Sequence, residues 1–311
     1  MKRLLTCLIT ILLFCGAIKV SGQDTIPYKK TPDGSSLRIL SMRVNNQISN
    51  DEMAPALVLL SGGGWLDFNW FQLKDLARDL SKMGARSYVV EYRTSTEFPG
   101  ATPQDALEDV QDAIFFLRTN ADKLYLDPDQ IIAIGASVGG QMAYAACLAN
   151  PRSLAPFSRY RPNLIVAYSP VIRNDSLGYG SDLIGDDDVS WFSPWNVYME
   201  SEARIVPSII FSGSDDPLIR SKDLRTFANK ATEKGDSLEL ILLDGVGHSM
   251  WNEVPTIYED TEPKISAFLQ NNSVQFSDFQ RSFMYFVFGL IGGLTLFVLL
   301  YRRRKAATLK N

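Results

Sequence analysis

Histidine and cysteine are scarce in this sequence, and their scarcity excludes several kinds of site. The chain of 311 residues contains one histidine and three cysteines. Cys7 and Cys15 fall in an N-terminal segment that we expect to be removed, which leaves Cys147 without a disulfide partner. One histidine and one such thiol cannot form a metal-binding cluster, and the sequence has no nucleotide-binding fingerprint. We therefore predict no metal and no cofactor.

A basic stripe is also missing, which argues against a nucleic-acid partner. The formal net charge is -4, and the dense basic cluster at 302–305 lies at the C-terminal end beside an apolar run, where a membrane flank accounts for it. Hydrophobic residues make up 46% of the chain, enough for one sizeable globular domain with tails.

Both ends of the chain carry apolar segments. Lys2 and Arg3 precede an uncharged run over 4–18, followed by small residues of the kind that signal peptidase accepts, which predicts a secretory signal. The uncharged run at 282–301 is, at about 20 residues, long enough to cross the hydrocarbon core as a helix. Because basic residues follow it, we expect a single-pass membrane protein with its globular domain on the extracytoplasmic side. This orientation holds whether or not the signal is cleaved.

These signals divide the chain into five parts. They are a signal peptide at 1–22, a globular domain at 23–270, a polar tether at 271–281, a transmembrane helix at 282–301 and a basic cytoplasmic tail at 302–311.

The globular part alternates strand-like apolar runs with helical spacing. Strand patterns occupy 37–44, 56–60, 87–91, 130–134, 164–168, 208–211 and 238–242, and helical patterns occupy 71–83, 102–117, 224–234 and 258–269. Such alternation predicts an α/β fold with a doubly wound, mostly parallel sheet and helices on both faces. The segment 171–204 has no strand pattern. Ligands bind beyond the carboxyl ends of the strands in this class, so we expect it to cap the site, with an ordinary solvent loop as the alternative.

A serine at a predicted strand-to-helix turn suggests nucleophilic chemistry. The strand pattern at 130–134 leads into Gly-Ala-Ser-Val-Gly at 135–139, and a helix-forming run follows. This order is typical of a nucleophile elbow, in which the serine is strained and small neighbours leave room for the turn. Gly135 and Gly139 supply that room, and Ser137 is the predicted nucleophile. The motif by itself also fits an ordinary glycine-bearing turn, so the presence of a base and an acid for Ser137 decides between the two interpretations.

A serine hydroxyl needs a base within hydrogen-bonding reach and an acid that orients the base. His248 lies in a glycine-rich loop just beyond the last predicted strand. The loop after the preceding strand holds Asp215 and Asp216. We choose Asp216 because a Pro-Leu pair follows it directly, while Asp215 would cap the helix or bond the loop backbone, although the two could exchange roles. The order Ser137, Asp216, His248 is that of α/β-hydrolases.

Acyl transfer also needs backbone N–H groups that bind the negative oxygen of the tetrahedral intermediate. The amide of Val138, directly after the nucleophile, is one candidate. Gly63 and Gly64 are the others, because three glycines at 62–64 follow an apolar strand at the place of the H-G-G-G-type loop of lipases and esterases.

Five motifs together resemble the acetyl-esterase and feruloyl-esterase-like branch of the α/β-hydrolase superfamily. They are Leu-Ser-Gly-Gly-Gly-Trp at 60–65, Val-Glu-Tyr-Arg-Thr at 90–94, Leu-Asp-Pro-Asp-Gln-Ile at 126–131, Gly-Ala-Ser-Val-Gly-Gly at 135–140 and Gly-Val-Gly-His at 245–248. The resemblance covers roughly 28–269 and implies an α/β-hydrolase fold and a serine esterase. Ser61 replaces the histidine often found before the glycines, and Val138 replaces the usual alanine. Neither change removes a backbone donor.

Tryptophan is concentrated in the predicted active-site loops. Four of these residues are predicted to line the substrate pocket: Trp65, Trp191, Trp195 and Trp251. Their flat faces suit a sugar ring or an aryl acyl group, and packing of the cap against the sheet is the alternative for each. Because the resembling family often removes small acyl groups from carbohydrates, we favour acylated glycans as substrate. The alternatives are small lipid esters, cleaved by a carboxylesterase or lipase, and a non-catalytic surface binding protein, against which the intact triad argues.

Overall fold

The computed structural model describes residues 23–42, 52–150, 153–154, 156–254 and 256–276. The predicted signal peptide, transmembrane helix and basic tail lie outside these ranges. Within them, no helix combines the length and the apolar character that crossing a membrane requires.

Eight strands in the described part of the chain form one sheet, in the order β1-β2-β4-β3-β5-β6-β7-β8. The strands are β1 Gln23–Lys30, β2 Ser36–Met42, β3 Ala54–Leu60, β4 Arg86–Val90, β5 Leu126–Ala136, β6 Leu164–Tyr168, β7 Ser208–Gly213 and β8 Leu238–Leu243. Strands β3 to β8 pair in parallel, while β2 pairs antiparallel with both β1 and β4. The predicted mostly parallel sheet is confirmed.

The helices lie between these strands, in the segment 171–204 and after β8. They are α1 Lys74–Ser81, α2 Pro103–Thr119, α3 Ala121–Leu124, α4 Val138–Leu148, α5 Ser181–Ile184, α6 Asp186–Phe192, α7 Pro194–Glu200, α8 Ser221–Lys234, α9 Met250–Glu253 and α10 Ile257–Asn271, with a 3₁₀ turn at Phe157–Tyr160. The helix predicted over 71–83 is shorter at both ends, and Phe71 is exposed in the loop before it.

Alternate residues of the buried strands face two separate hydrophobic layers. In β3, Val58 packs with α2, α4 and α8 on one face, while Leu57 packs with α1 and α10 on the other. All seven residues of β3 are buried, as a strand covered on both faces requires. The two layers hold the carboxyl ends of β3, β5, β7 and β8 in a common edge, which positions the loops that follow them.

Strand β1 precedes the first strand pattern found in the sequence, at 37–44, and is therefore an addition to the predicted sheet. The structure forms an antiparallel hairpin, in which the Thr31 amide donates to the Ser35 carbonyl at 3.0 Å and Ile26 lies opposite Ile39. This pairing depends on the neighbouring strand and not on local periodicity.

A buried ion cluster joins the end of β4 to α2 and β1. The side chain of Asp109 has no exposed surface; it accepts hydrogen bonds from the Arg93 amide at 3.0 Å and from Arg93 Nε at 2.7 Å. The Lys29 Nζ lies 2.7 Å from the other carboxylate oxygen. A buried carboxylate is tolerated only with such partners, which accounts for an arginine directly after this strand.

The segment 171–204, hereafter the cap segment, contains α5, α6 and α7 and no strand among its described residues. It packs on the loop after β3, where the ring of Tyr179 stacks on that of Trp65 with centroids 5.9 Å apart. Its middle part is held to α2, because Gln104 Nε2 donates to Asp188 Oδ2 at 2.8 Å and to the Ile184 carbonyl at 3.2 Å.

Candidate active site

Ser137 lies between β5 and α4 in a conformation that L-residues rarely adopt. Its φ is 53° and its ψ is -118°, and its amide donates to the Tyr168 carbonyl at 2.9 Å. A Cβ on Gly135 would lie 2.3 Å from the backbone of Gly139, and a Cβ on Gly139 would lie 2.1 Å from the Leu60 carbonyl oxygen. Both positions therefore need glycine. Such backbone strain costs on the order of 1–3 kcal/mol and persists only where the surroundings impose it.

Three side chains at the carboxyl edge of the sheet form one hydrogen-bonded chain. His248 Nε2 lies 2.9 Å from Ser137 Oγ, and His248 Nδ1 lies 2.8 Å from Asp216 Oδ2. The three come from the loops after β5, β7 and β8, so the parallel strands bring together residues that are far apart in the sequence. This geometry has the base between nucleophile and acid, as acyl transfer requires.

The structure also distinguishes the two candidate acids. Asp216 Oδ1 accepts the amides of Leu218 and Ile219, each at 2.9 Å, which leaves Oδ2 facing His248. Asp215 instead accepts the Ser214 hydroxyl at 2.8 Å, and its amide donates to the Val246 carbonyl at 3.1 Å. Asp215 thus bonds the loop, and Asp216 orients the imidazole.

The pKa of the Asp216 carboxyl lies below its usual value. Burial alone would raise that pKa, but hydrogen bonds from His248, from the Ile219 amide and from Ser169, together with the attraction of the imidazole, outweigh it. The carboxylate therefore stays ionised at neutral pH, so it can stabilise a positively charged His248 without taking its proton.

The glycine loop (62–64) lies directly beside the nucleophile. A Cβ on Gly62 would lie 3.1 Å from Ser137 Cβ, and the Gly62 amide donates to Gln72 Oε1 at 2.5 Å. The Gly63 carbonyl accepts the amide of Leu66 at 3.0 Å, which turns the loop back. With the Gly62 amide already bonded, Gly63 and Gly64 are the glycines whose amides can serve an oxyanion.

Val138, the third predicted oxyanion donor, is the first residue of α4. The first amides of a helix have no intrahelical acceptor, so the Val138 N–H is available next to Ser137. Val138 thus adjoins the nucleophile, Gly63 and Gly64 follow the glycine that contacts it, and the role of all three in binding an oxyanion stays a prediction.

The predicted pocket tryptophans pack within and beneath the cap segment and beside the histidine. Trp65 is only 3% exposed, and Trp251 is buried with its ring 5.3 Å from that of His248. Trp191 and Trp195 are half-buried; Trp191 Nε1 donates to Asp188 Oδ1 at 2.8 Å, and Arg173 lies over Trp195 at 4.6 Å. The structure therefore gives each a packing role, and contact with substrate stays a prediction.

Ser169 is a site residue that sequence reasoning missed. It directly follows β6, has a φ of 40° and no exposed surface, and its hydroxyl lies 3.2 Å from Ser212 Oγ and helps to lower the pKa of the Asp216 carboxyl. Its neighbours hold the elbow, since Tyr168 accepts the Ser137 amide and the Val171 amide donates to the Ser137 carbonyl at 3.2 Å. The available signal was its place at the end of a parallel strand, beside those of Ser137 and Asp216.

Two further contacts fix the glycine loop from outside the predicted set. Tyr92, within the motif at 90–94, donates its hydroxyl to the Ser61 carbonyl at 2.6 Å. Gln72 bonds the Gly62 amide as described above, and the Gln72 carbonyl in turn accepts the Tyr258 hydroxyl at 3.1 Å. The motif at 90–94 contained Tyr92 without assigning it this contact, and no sequence pattern marked Gln72 or Tyr258 as partners of the loop.

Comparison with known proteins agrees with this architecture. Residues 43–162 match the BD-FAE family. The chain is 24% identical over 255 residues to the probable isoprenylcysteine alpha-carbonyl methylesterase ICMEL1 of Oryza sativa subsp. japonica, which covers 69% of this chain and 59% of that protein. It is 22% identical over 199 residues to endo-1,4-beta-xylanase B of Butyrivibrio fibrisolvens, which covers 60% of this chain and 31% of that protein. The chain thus spans less than two thirds of the length of either relative.

Solved structures show the same fold. The thermophilic esterase Est2 of Thermogutta terrifontis with bound propionate has a TM-score of 0.71 at 22% identity, with 81% of this chain and 95% of that chain covered. Its apo form has a TM-score of 0.72, with 83% and 98% covered. The resemblance stated from the motifs is therefore confirmed: the chain has an α/β-hydrolase fold, and the proteins it resembles lie in the esterase branch.

Proposed function

We propose that the protein is a serine esterase that hydrolyses carboxylic esters through an acyl-enzyme. The observation that carries this proposal is the hydrogen-bonded chain from Ser137 through His248 to Asp216, with distances of 2.9 and 2.8 Å. Its relatives by sequence and by fold include proteins named as esterases, which supports the same reaction class.

In the proposed first half-reaction, Ser137 Oγ attacks the acyl carbon while its proton passes to His248 Nε2. The carbonyl oxygen of the ester becomes negative and accepts hydrogen bonds from the amides of Gly63, Gly64 and Val138. Collapse of the tetrahedral intermediate breaks the bond to the alcohol, which leaves with the proton from His248. Water then repeats the sequence on the acyl-enzyme and releases the acid.

For the substrate, we propose small acyl groups carried on carbohydrates. Est2 has been crystallised with propionate and with butyrate, which supports a small acyl group, and one relative is named as a xylanase, which supports a glycan. The half-buried Trp191 and Trp195 on the cap segment offer ring faces that suit a sugar.

A second candidate substrate is a small lipid ester. Several large apolar side chains are exposed on the loops that follow the strands of the site and on the cap segment, namely Leu66, Phe71, Leu177, Leu183 and Leu218. Other relatives are named as isoprenylcysteine methylesterases, which supports an apolar substrate. Exposed apolar groups near a catalytic centre favour contact with a hydrophobic ligand.

We also propose that the domain is anchored by 282–301 and faces the extracytoplasmic side. This rests on the apolar run and on the basic residues after it in the sequence. Protease added to intact cells should release the domain, and full protection would contradict the orientation.

The reaction is tested with the full-length protein in detergent. Wild type should hydrolyse p-nitrophenyl acetate, and Ser137→Ala should abolish this activity; equal rates in the two proteins would refute the mechanism. Acetylated xylan, feruloylated sugars and short-chain triglycerides, assayed side by side, then separate the glycan and lipid substrates.

A further inference from the structure

The cap segment sends one side chain down to the glycine loop. A Cβ on Gly64 would lie 2.7 Å from the hydroxyl oxygen of Tyr179, so this oxygen fills the space above the glycine. Gly64 itself has a φ of 67°, a conformation that favours glycine. Because Gly64 has no side chain, the Tyr179 phenol can approach the backbone of the glycine loop at this position.

The position of this hydroxyl relative to the nucleophile follows from the loop. Gly62 touches Ser137, since a Cβ on it would lie 3.1 Å from Ser137 Cβ. Consecutive Cα atoms are about 3.8 Å apart, so Gly64 lies at most ~7.6 Å from Gly62. An ester carbonyl attacked by Ser137, with its oxygen directed to the Gly64 amide, would therefore come close to the Tyr179 hydroxyl.

Tyr179 is held rigidly at this place. Its ring stacks on Trp65 at an angle of 28°, its amide donates to the Arg173 carbonyl at 3.1 Å, and its carbonyl accepts Asn174 Nδ2 at 3.0 Å. A Cβ on Gly180 would lie 2.6 Å from the Trp65 ring, so the chain after Tyr179 is also tightly packed. A donor fixed in advance stabilises developing charge without reorganisation.

The hydroxyl of Tyr179 bonds no protein group within the described part of the chain, and the side chain is half-buried. Other tyrosines here do use their hydroxyls: Tyr28 and Tyr92 donate to carbonyl oxygens, and Tyr198 bonds Asp236. A phenol O–H that is oriented by stacking and has no protein acceptor can bond an acceptor on a ligand.

We propose that Tyr179 is a further oxyanion donor, whose O–H donates to the carbonyl oxygen of the bound ester beside the amides of Gly63, Gly64 and Val138. The inference rests on the proposed esterase function. The phenol keeps its proton throughout; the hydrogen bond strengthens as negative charge builds on the oxygen and weakens again when the alcohol leaves. The cap segment then takes part in the chemistry as well as covering the site.

The test compares full-length wild type, Tyr179→Phe and Tyr160→Phe. Both substitutions delete one hydroxyl and keep the ring, and Tyr160 stacks on Phe115 outside the site, with centroids 4.6 Å apart. With p-nitrophenyl acetate, kcat of Tyr179→Phe should fall roughly 100-fold, the lower end of the range for loss of an oxyanion donor, with KM within about twofold. Tyr160→Phe should match wild type, and equal melting temperatures should confirm that all three proteins are folded.

A second measurement uses diethyl p-nitrophenyl phosphate, which phosphorylates Ser137. During that step its P=O oxygen accepts hydrogen bonds from the same oxyanion donors. The labelling rate, followed by mass spectrometry, should fall in Tyr179→Phe by a similar factor. Suppose that the wild type is active while Tyr179→Phe keeps the same kcat and labelling rate, or changes only in KM. That result would overturn the role of Tyr179 and leave the esterase function standing. A wild type that neither hydrolyses esters nor labels at Ser137 would overturn the esterase function and this role with it.

Discussion

Replacement of Asp216 by asparagine should test the catalytic geometry most sharply. Asp216 Oδ1 is held by the amides of Leu218 and Ile219, both at 2.9 Å. An asparagine would keep its carbonyl oxygen on these two N–H donors, because an NH₂ group there would oppose them. Its NH₂ group would then face His248 Nδ1, in place of the oxygen that lies 2.8 Å away.

This orientation reverses the hydrogen bonding of the imidazole. His248 Nδ1 would accept from the asparagine, so the ring proton would move to Nε2 and point at Ser137 Oγ. Nε2 could no longer take the serine proton. Because the same exchange in a Ser-His-Asp protease lowers kcat by about 10⁴ while the geometry is kept, we expect a kcat for Asp216→Asn lower by about 10⁴.

The assay is hydrolysis of p-nitrophenyl acetate by the full-length protein, with Asp215→Asn as the matched control. Asn at 215 still presents a carbonyl oxygen to Ser214, so its kcat should stay within about twofold of wild type. A melting temperature measured for each variant separates unfolding from loss of chemistry. A larger loss at Asp215 than at Asp216, or a loss below tenfold at Asp216, would refute the assignment of the acid.

Three further predictions concern the support of the site and of the fold. Ser169→Ala removes a hydroxyl that helps to lower the pKa of the Asp216 carboxyl, so kcat/KM should fall about tenfold and the acidic limb of its pH profile should shift. Asp109→Ala removes the buried carboxylate between Arg93 and Lys29, which keep only the more exposed Asp105 and Asp112, so urea unfolding should show a loss of about 3 kcal/mol, the lower end for breaking a buried ion pair. The pKa of Asp216 is lower in the folded than in the unfolded protein, so the carboxylate stabilises the fold above the unfolded pKa of about 3.9. This stabilisation is lost as the pH falls through the folded-state pKa. Thermal melts of Asp216→Asn should therefore lack this part of the acid-dependent loss of stability.

Each of these predictions has a control and a contrary outcome. For Ser169→Ala, an unchanged pH profile with reduced stability would indicate a structural role only. For Asp109→Ala, the exposed pair Asp75–Arg78 provides the comparison, since Asp75→Ala should cost less than about 1 kcal/mol. Equal losses at 109 and 75 would contradict the importance of burial. Identical pH dependence of melting in wild type and Asp216→Asn would contradict the lowered pKa.

The sequence determined the sheet and part of the site because both are encoded locally. A strand covered on both faces needs an unbroken apolar run, which β3 shows, and a strained elbow needs small neighbours at 135 and 139. Ser137 could be found from that pattern, and His248 was the one histidine in the chain. The structure brings the two within hydrogen-bonding distance.

Contacts between elements that are distant in the sequence could not be predicted from local sequence patterns. The hairpin of β1 with β2 and the burial of Trp65 depend on which elements become neighbours. Tyr179 meets Gly64 across more than a hundred residues of chain, and Ser169 meets Asp216 only because β6 and β7 are adjacent. Neither contact leaves a periodic trace in the sequence.

Asp215 and Asp216 show most clearly what the sequence determines and what only the tertiary structure decides. The sequence located an acidic pair in the loop after the correct strand and favoured Asp216 because a Pro-Leu pair follows it, but this local mark left an exchange of roles with Asp215 open. The turn decides between them: the Asp215 amide bonds the Val246 carbonyl, while the amides of Leu218 and Ile219 hold Asp216 toward His248. Local composition thus determined which residues were available, and only the packing of distant loops decided which carboxylate faces the imidazole.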